Sequence, residues 1–241
     1  MGEDPRYDPN TMTKLTVISV GGSIVVPDGV DTDFVSRFVA AIRARLEREP
    51  DWKLGLVIGG GSTARVYQTA ARAIRADAPV EILDDIGIAA TRVNAQIVRL
   101  AFAELCSDPI FTDPTAVRAI SSRVVVGGGW KPGFSTDNVS VRLAETLGAS
   151  TLINLSNIRQ IYTADPKLDP SAEPLEEISW EELRRIVGEE WVPGKNTPFD
   201  PVATRRAAEL GMTVIAADGR DLANLEALLD GRPFVGTTIR P

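Results

Sequence analysis

The sequence predicts an α/β fold, a three-layer α/β/α sandwich around a mostly parallel central sheet. Three observations carry that expectation. Short apolar runs of strand length alternate along the chain with longer stretches of helical apolar spacing. Leu15 to Val20, Leu54 to Ile58 and Val124 to Val126 lack the in/out alternation of surface strands and suit strands covered on both faces. Each of these runs ends in glycine: Gly21-Gly22, Gly59-Gly60-Gly61 and Gly127-Gly128-Gly129. Ligands of open α/β sheets collect at the carboxyl ends of the strands, where glycine lets backbone N–H groups approach an anion closely. One such loop is an ordinary β-to-α connection, whereas three could cradle a chain of phosphates.

Taken in order, Leu15 to Val20 is a strand and Pro27-Asp28-Gly29 a turn. Asp31 and Thr32 then cap a helix carrying Phe34, Val35, Phe38, Ile42 and Leu46, which Pro50 stops. Leu54 to Ile58 runs into Gly59-Gly60-Gly61-Ser62 and a helix with Ala64, Val66, Tyr67, Ala70 and Ala71, with Arg65 expected in its first turn. A cation there is electrostatically misplaced unless an anion is bound, which favours a phosphate ligand over a bare surface charge. Asp84-Asp85-Ile86-Gly87 leads into a helix expected from Ala89 to Leu105. Val124 to Val126 ends in the third glycine loop. Ser135, Thr136 and Asp137 then open a helix with Val139, Leu143 and Leu147 at helical spacing. Thr151 to Leu155 is a strand followed by a turn-rich region to Pro166. Ser179 to Glu182 is a capping box opening a helix to Val187. Gly194 to Pro198 is a loop and Asp200-Pro201 starts a helix. Met212 to Ala216 is a strand, Asp221 to Leu229 a helix, and Thr237 to Ile239 a final edge strand.

Composition excludes several chemistries. Of the 241 residues, 44% are hydrophobic and 24% charged, enough for a sizeable core. The net charge of −7 is the wrong sign for a nucleic-acid binder, so an anionic ligand must be held by local donors. The absence of histidine removes the Ser-His-Asp triad and the commonest general base. The single cysteine, Cys106, permits no internal disulfide and is expected to be buried. No apolar run approaches the ~18 residues of a membrane span. Residues 1–13, polar and with two prolines, are expected to be a disordered leader with Met12 a candidate native start. Residues 14–241 are expected to form one domain, and the protein to be cytoplasmic.

No loop matches G-x-x-x-x-G-K-[ST] or a strand–helix G-x-G-x-x-G, so neither the P-loop nor the dinucleotide fingerprint is present. The order of the pieces nevertheless resembles one family. Gly21-Gly22-Ser23 and Gly59 to Arg65 come first, then Asp84 with Gly87 and Thr91-Arg92-Val93-Asn94. Pro132 to Asp137 follows, then Asn157, Tyr162 to Pro166, Phe199-Asp200-Pro201 and Gly236-Thr237. This series, covering nearly the whole chain, resembles the amino acid kinase family, and within it the uridylate (UMP) kinases of the archaeal-type branch.

The resemblance implies transfer of the γ-phosphoryl of ATP to UMP with Mg²⁺ as cofactor, in a homo-oligomer, a hexamer, with neither nucleic acid nor membrane as partner. It implies that Gly60, Asp84 and the segment Trp130, Lys131, Pro132, Gly133, Phe134, Ser135 and Thr136 hold UMP. Gly22, Ser23, Gly61 and Arg65 would lie along the ATP phosphates, and Ser156, Asn157, Tyr162 and Asp165 around the adenosine end. Arg65 and Asp137 would be the catalytic pair, Arg65 neutralising charge and Asp137 orienting groups or linking to the metal. Which residues ligate the metal is left open. Phosphoryl transfer fits a chain without histidine, because it needs positioning and charge neutralisation, and the acceptor is already a phosphate oxygen.

Two positions depart from the family pattern. Arg159-Gln160 stands where Asp-Gly is usual, so Gln160 is expected to occupy a turn of positive φ at a local cost of roughly 1 kcal/mol, and Arg159 to turn to solvent or to a phosphate. Lys131 and Phe134 stand where the archaeal branch commonly has histidines. Two other readings compete: a related family enzyme acting on another small acid or phosphate, and a non-catalytic nucleotide or oxyanion binder. Isopentenyl phosphate kinases, whose substrate phosphate is typically held by a histidine, fit less well.

Overall fold

In the computed structural model, residues 15–166, 168–188 and 197–241 are described, so the expected leader 1–13 and most of the loop expected at 194–198 lie outside the described residues. The chain runs β1 (Leu15–Val20), α1 (Gly22–Val25), α2 (Thr32–Arg48), β2 (Lys53–Ile58), α3 (Gly61–Ile74), α4 (Val80–Phe102) and β3 (Val124–Gly127). It continues α5 (Thr136–Leu147), β4 (Thr151–Ser156), β5 (Ile161–Tyr162), β6 (Pro174–Leu175), β7 (Glu177–Ser179) and α6 (Trp180–Val187). The last elements are α7 (Pro201–Glu209), β8 (Thr213–Asp218), α8 (Leu222–Leu229) and β9 (Thr237–Arg240).

A seven-stranded sheet has the order β3-β2-β1-β4-β8-β9-β7, while β5 and β6 form a separate ribbon. The first five strands are mutually parallel, and β9 turns antiparallel to β8. Strand side chains alternate between two cores. Ile18, Val20, Leu54, Leu56 and Ile58 pack with α2, α4 and α8, whereas Val17 and Val57 pack with α5, α6 and α7. Gly55 faces the second core, and the space of its missing Cβ is taken by the side chain of Leu143. The three-layer expectation therefore holds.

The caps read from the sequence are present. The Asp31 carboxylate accepts from the Phe34 N–H, Ser135 from Asn138, Asp200 from Ala203 and Asp221 from Asn224. Ser179 and Glu182 complete a reciprocal capping box. Three expectations need correction. The helix expected from Ala89 begins at Val80, so Asp84 and Gly87 lie inside α4; the acidic pair and the glycine hide its first turns. The final strand is not an edge, because β9 is paired on both sides and β7, three residues long, is the edge. Positive φ outside glycine occurs among the described residues only at Ala103. Gln160 is thus unstrained, and its amide donates to the Gly236 carbonyl at 3.3 Å. Arg159 is exposed, as expected.

The first two glycine loops meet backbone to backbone. A Cβ on Gly22 would stand 2.0 Å from the Gly61 nitrogen, one on Gly59 2.4 Å from the Gly22 nitrogen, and one on Gly61 2.2 Å from the Gly22 oxygen. All the offending atoms are main chain, so no side chain can swing away. Gly22→Ala is expected to lower stability by about 3 kcal/mol or to prevent folding, read from the urea midpoint. Wild-type stability in that variant would show that the loops are not held together as described.

Candidate active site

The carboxyl ends of β1, β2, β3, β4 and β8 come together at one side of the sheet. The Gly21 N–H donates to Leu155 O (2.8 Å), Gly59 N–H to Val20 O (2.9 Å) and Gly219 N–H to Ser156 O (2.9 Å), fastening the loops in sequence. Strand order reverses beside β1, which has β2 on one side and β4 on the other, and such a switch point is where doubly wound sheets bind ligands.

Helix α4 holds two of the loops. The Asn94 amide, buried in α4, donates to Gly59 O (2.9 Å) and Gly60 O (3.0 Å). The Thr91 hydroxyl accepts from Gly129 N–H (2.6 Å) while donating to Ile88 O (2.6 Å). Arg92 donates through Nε to Gly129 O (3.2 Å) and through Nη2 to Trp130 O (3.0 Å). The Asp84 carboxylate accepts from Gly133 N–H at 2.9 Å. Asp84, Ile88, Thr91 and Arg92 share one side of the helix by spacing, and the loop from Gly128 to Gly133 lies along it. Asp84 retains further lone pairs for a ribose hydroxyl, since an ionised carboxylate offers about four acceptor sites. In the loop itself, the Lys131 ammonium rests 4.0 Å from the Trp130 ring centroid and 4.8 Å from that of Phe134, the two rings meeting edge to face.

Asp137 opens α5 at the end of β1. Its carboxylate accepts from the Asp200 N–H (3.1 Å) and the Ser19 hydroxyl (3.5 Å). The residue keeps some exposed surface, yet its carboxyl group sits among buried neighbours. Burial first, and the charge of Asp200 second, push its pKa up to about 7. Asp200, itself raised by burial, caps α7 and stands beside Ser135. A carboxylate pair that its surroundings disfavour as anions gains from a nearby cation.

On the other side of β1, Ser156 ends β4 and Asn157 follows it, exposed. Tyr162 lies in the β5–β6 ribbon, and the Asp165 carbonyl closes the turn that follows, accepting from Leu168 and Asp169. Arg65 is the fifth residue of α3, in its second turn and not its first as expected, because the helix begins at Gly61. Its guanidinium is exposed and donates to Pro27 O at 3.2 Å. The pieces of the site follow four neighbouring strands in the order β3-β2-β1-β4, which differs from their order along the chain. The proposed acceptor loop follows β3, the two interlocked glycine loops follow β2 and β1, and the proposed donor residues follow β4. Three strand steps of about 4.8 Å each separate the two ends.

Thr91, Asn94 and Asp200 stand in the family-like series, yet their roles escaped the sequence reading. Asn94 and Thr91 are polar positions on an apolar helix face, and nothing in the sequence reveals their partners. Asp200 looked fully explained as a helix cap. Asp218-Gly219-Arg220 did carry a signal, a fourth strand ending in glycine; Arg220 Nη2 donates to Ser23 O at 3.1 Å, joining the first glycine loop to β8.

Glycine loops, carboxylates and a switch point at one sheet edge define a class, the three-layer α/β proteins that seat phosphate groups on backbone N–H donors. Within that class the chain belongs to the amino acid kinase family, whose pattern matches residues 14–218. It is 37% identical to a uridylate kinase of Methanospirillum hungatei over 226 residues, 92% of this chain and 93% of that protein. It is 35% identical to a uridylate kinase of Pyrococcus abyssi, covering 93% and 99%. The solved structure of the Archaeoglobus fulgidus uridylate kinase is similar at a TM-score of 0.79 and 31% identity, covering 93% of this chain and 99% of that one.

The raised pKa of Asp137 fixes a sign. The folded state holds this proton more tightly than the unfolded one, so the group costs nothing below pH ~4, costs progressively more between ~4 and ~7, and costs fully above that. In nucleotide- and metal-free protein, Asp137→Asn is expected to raise the thermal midpoint at pH 8 by ~2–4 °C or more, with a smaller gain at pH 4. An equal shift at both pH values would show that the carboxyl group titrates normally.

Proposed function

We propose that this chain is a UMP kinase, transferring the γ-phosphoryl of ATP to UMP to give UDP and ADP. The observation carrying the proposal is that uridylate kinases match it over more than nine-tenths of both chains, one of them also in its solved fold. An oxygen of the UMP phosphate forms the new bond to the γ-phosphorus, and the bond from that phosphorus to the β-phosphate oxygen breaks, leaving ADP. No proton has to be removed, since UMP is largely a dianion at neutral pH.

The interlocked loops at Gly22, Ser23 and Gly61 then present N–H donors to the donor phosphates, with Arg65 beside them. Gly60, Asp84 and the segment Trp130 to Thr136 hold UMP; Ser156, Asn157, Tyr162 and Asp165 hold the adenosine end. Among the described residues no three carboxylate, cysteine or histidine groups gather into a metal cage. The Asp137–Asp200 pair fits Mg²⁺ instead, an ion commonly held by one or two carboxylates together with substrate phosphates. Once bound there, Mg²⁺ would supply neutralisation of the charge on the transferring phosphoryl group. The reading of a different small acid as acceptor is not favoured by these relatives.

Resemblance also supports a cytoplasmic homo-oligomer, a hexamer, with residues 14–241 acting as one domain. A second support is physical. α3 buries none of its residues, leaving Tyr67 63% and Ile74 87% exposed at an i, i+7 spacing. On α4, Ile82, Val93, Ile97 and Leu100 form an exposed apolar stripe opposite the face that enters the core. A surface of this kind is commonly covered by another protein surface, here a second copy.

A coupled assay offering ATP, Mg²⁺ and a panel of UMP, CMP, AMP, isopentenyl phosphate, glutamate and carbamate is expected to give UMP the highest kcat/KM. Preference for another acceptor, or no turnover, would overturn the proposal. Arg65→Ala is expected to reduce kcat/KM on the order of 10³-fold with the fold intact; wild-type activity would make it a plain surface charge. Tyr67→Glu with Ile74→Glu is expected to reduce the assembly size measured by light scattering, and an unchanged size would place the interface elsewhere.

A further inference from the structure

We infer that Arg92 is a positioning residue of the acceptor site, fixing the two peptide planes that turn the Trp130 and Lys131 N–H groups towards the acceptor phosphate. The inference rests on the reading of the Trp130–Thr136 segment as the loop that receives UMP.

The argument starts from the peptide group. In a trans peptide the C=O and the following N–H point in opposite directions. The Gly129 and Trp130 carbonyls both reach the Arg92 guanidinium, at 3.2 Å and 3.0 Å, so the N–H groups of Trp130 and Lys131 both face away from α4. Successive carbonyls of an extended chain alternate in direction. Two on one cation mean that the chain bends here, and consecutive N–H groups pointing one way form an anion-binding concavity. The N–H groups on either side of these two are engaged or missing. Gly129 donates to Thr91, Gly133 to Asp84 and Phe134 to Lys131 O, while Pro132 has none. Among the described residues the Trp130 and Lys131 N–H groups have no partner. A carbonyl bonded to a guanidinium also polarises its peptide group and strengthens the donor at the other end. Arg92 therefore prepares two donors without touching the substrate. Lysine would reproduce this poorly, because a point charge does not span two carbonyls as a planar fork does.

The test compares wild type with Arg92→Ala and Arg92→Lys by steady-state kinetics in both substrates and by hydrogen exchange of the loop. Losing bonds to a charged donor corresponds to ~10–100-fold. We expect Arg92→Ala to raise the KM for UMP by at least ~10-fold while the KM for ATP stays within about twofold. Arg92→Lys should fall in between, and the loop of Arg92→Ala should exchange faster than in wild type while that at Gly59 to Gly61 is unchanged. A rise shared equally by both substrates, or none, overturns the inference. If Arg92→Ala does not fold, Arg92→Lys carries the same comparison. If wild type itself does not phosphorylate UMP, the functional proposal fails separately. Arg92 is then judged on exchange alone, and unchanged protection of the loop rejects it.

Discussion

The contact between the main chains of Gly22, Gly59 and Gly61 is the constraint on which the site depends. At separations that leave no room for a Cβ, two loops from neighbouring parallel strands become one surface of backbone N–H groups. Neither loop could do this alone, because a single glycine turn offers few donors and little rigidity. Placed over the β1–β2 pair, the surface lies between the loop after β3 and the residues after β4. The position of the chemistry along the sheet follows from strand order.

The second constraint is α4, whose inward side does two tasks along its length while the opposite side stays exposed. Ala95, Val98 and Phe102 anchor it in the core. Asp84, Thr91, Arg92 and Asn94 take up the backbone groups of two loops that irregular structure would otherwise leave unsatisfied. Ile82, Val93 and Leu100 face outward.

Electrostatics at the site is local. A chain of net charge −7 attracts no nucleotide through its overall field. Cations are instead placed singly, Arg65 and Arg220 each bonded to a carbonyl beside α1 and Lys131 resting on two rings. Asp137 and Asp200 stand together near the centre, where burial makes a negative charge on either costly.

The sequence by itself determined the layers, the central strands, most helix caps and the three glycine loops, because these depend on spacing and local backbone chemistry within a few residues. β1 and the capping box at Ser179 were legible to the residue for that reason. It did not determine where α4 begins, that β9 is interior, or that Gln160 needs no unusual φ, since each depends on a partner far along the chain. The roles of Asn94, Thr91 and Arg92 belong to the same group. Their side chains meet backbone 34 to 38 residues away, and a hydrogen bond leaves no pattern in a sequence until folding brings its two ends together.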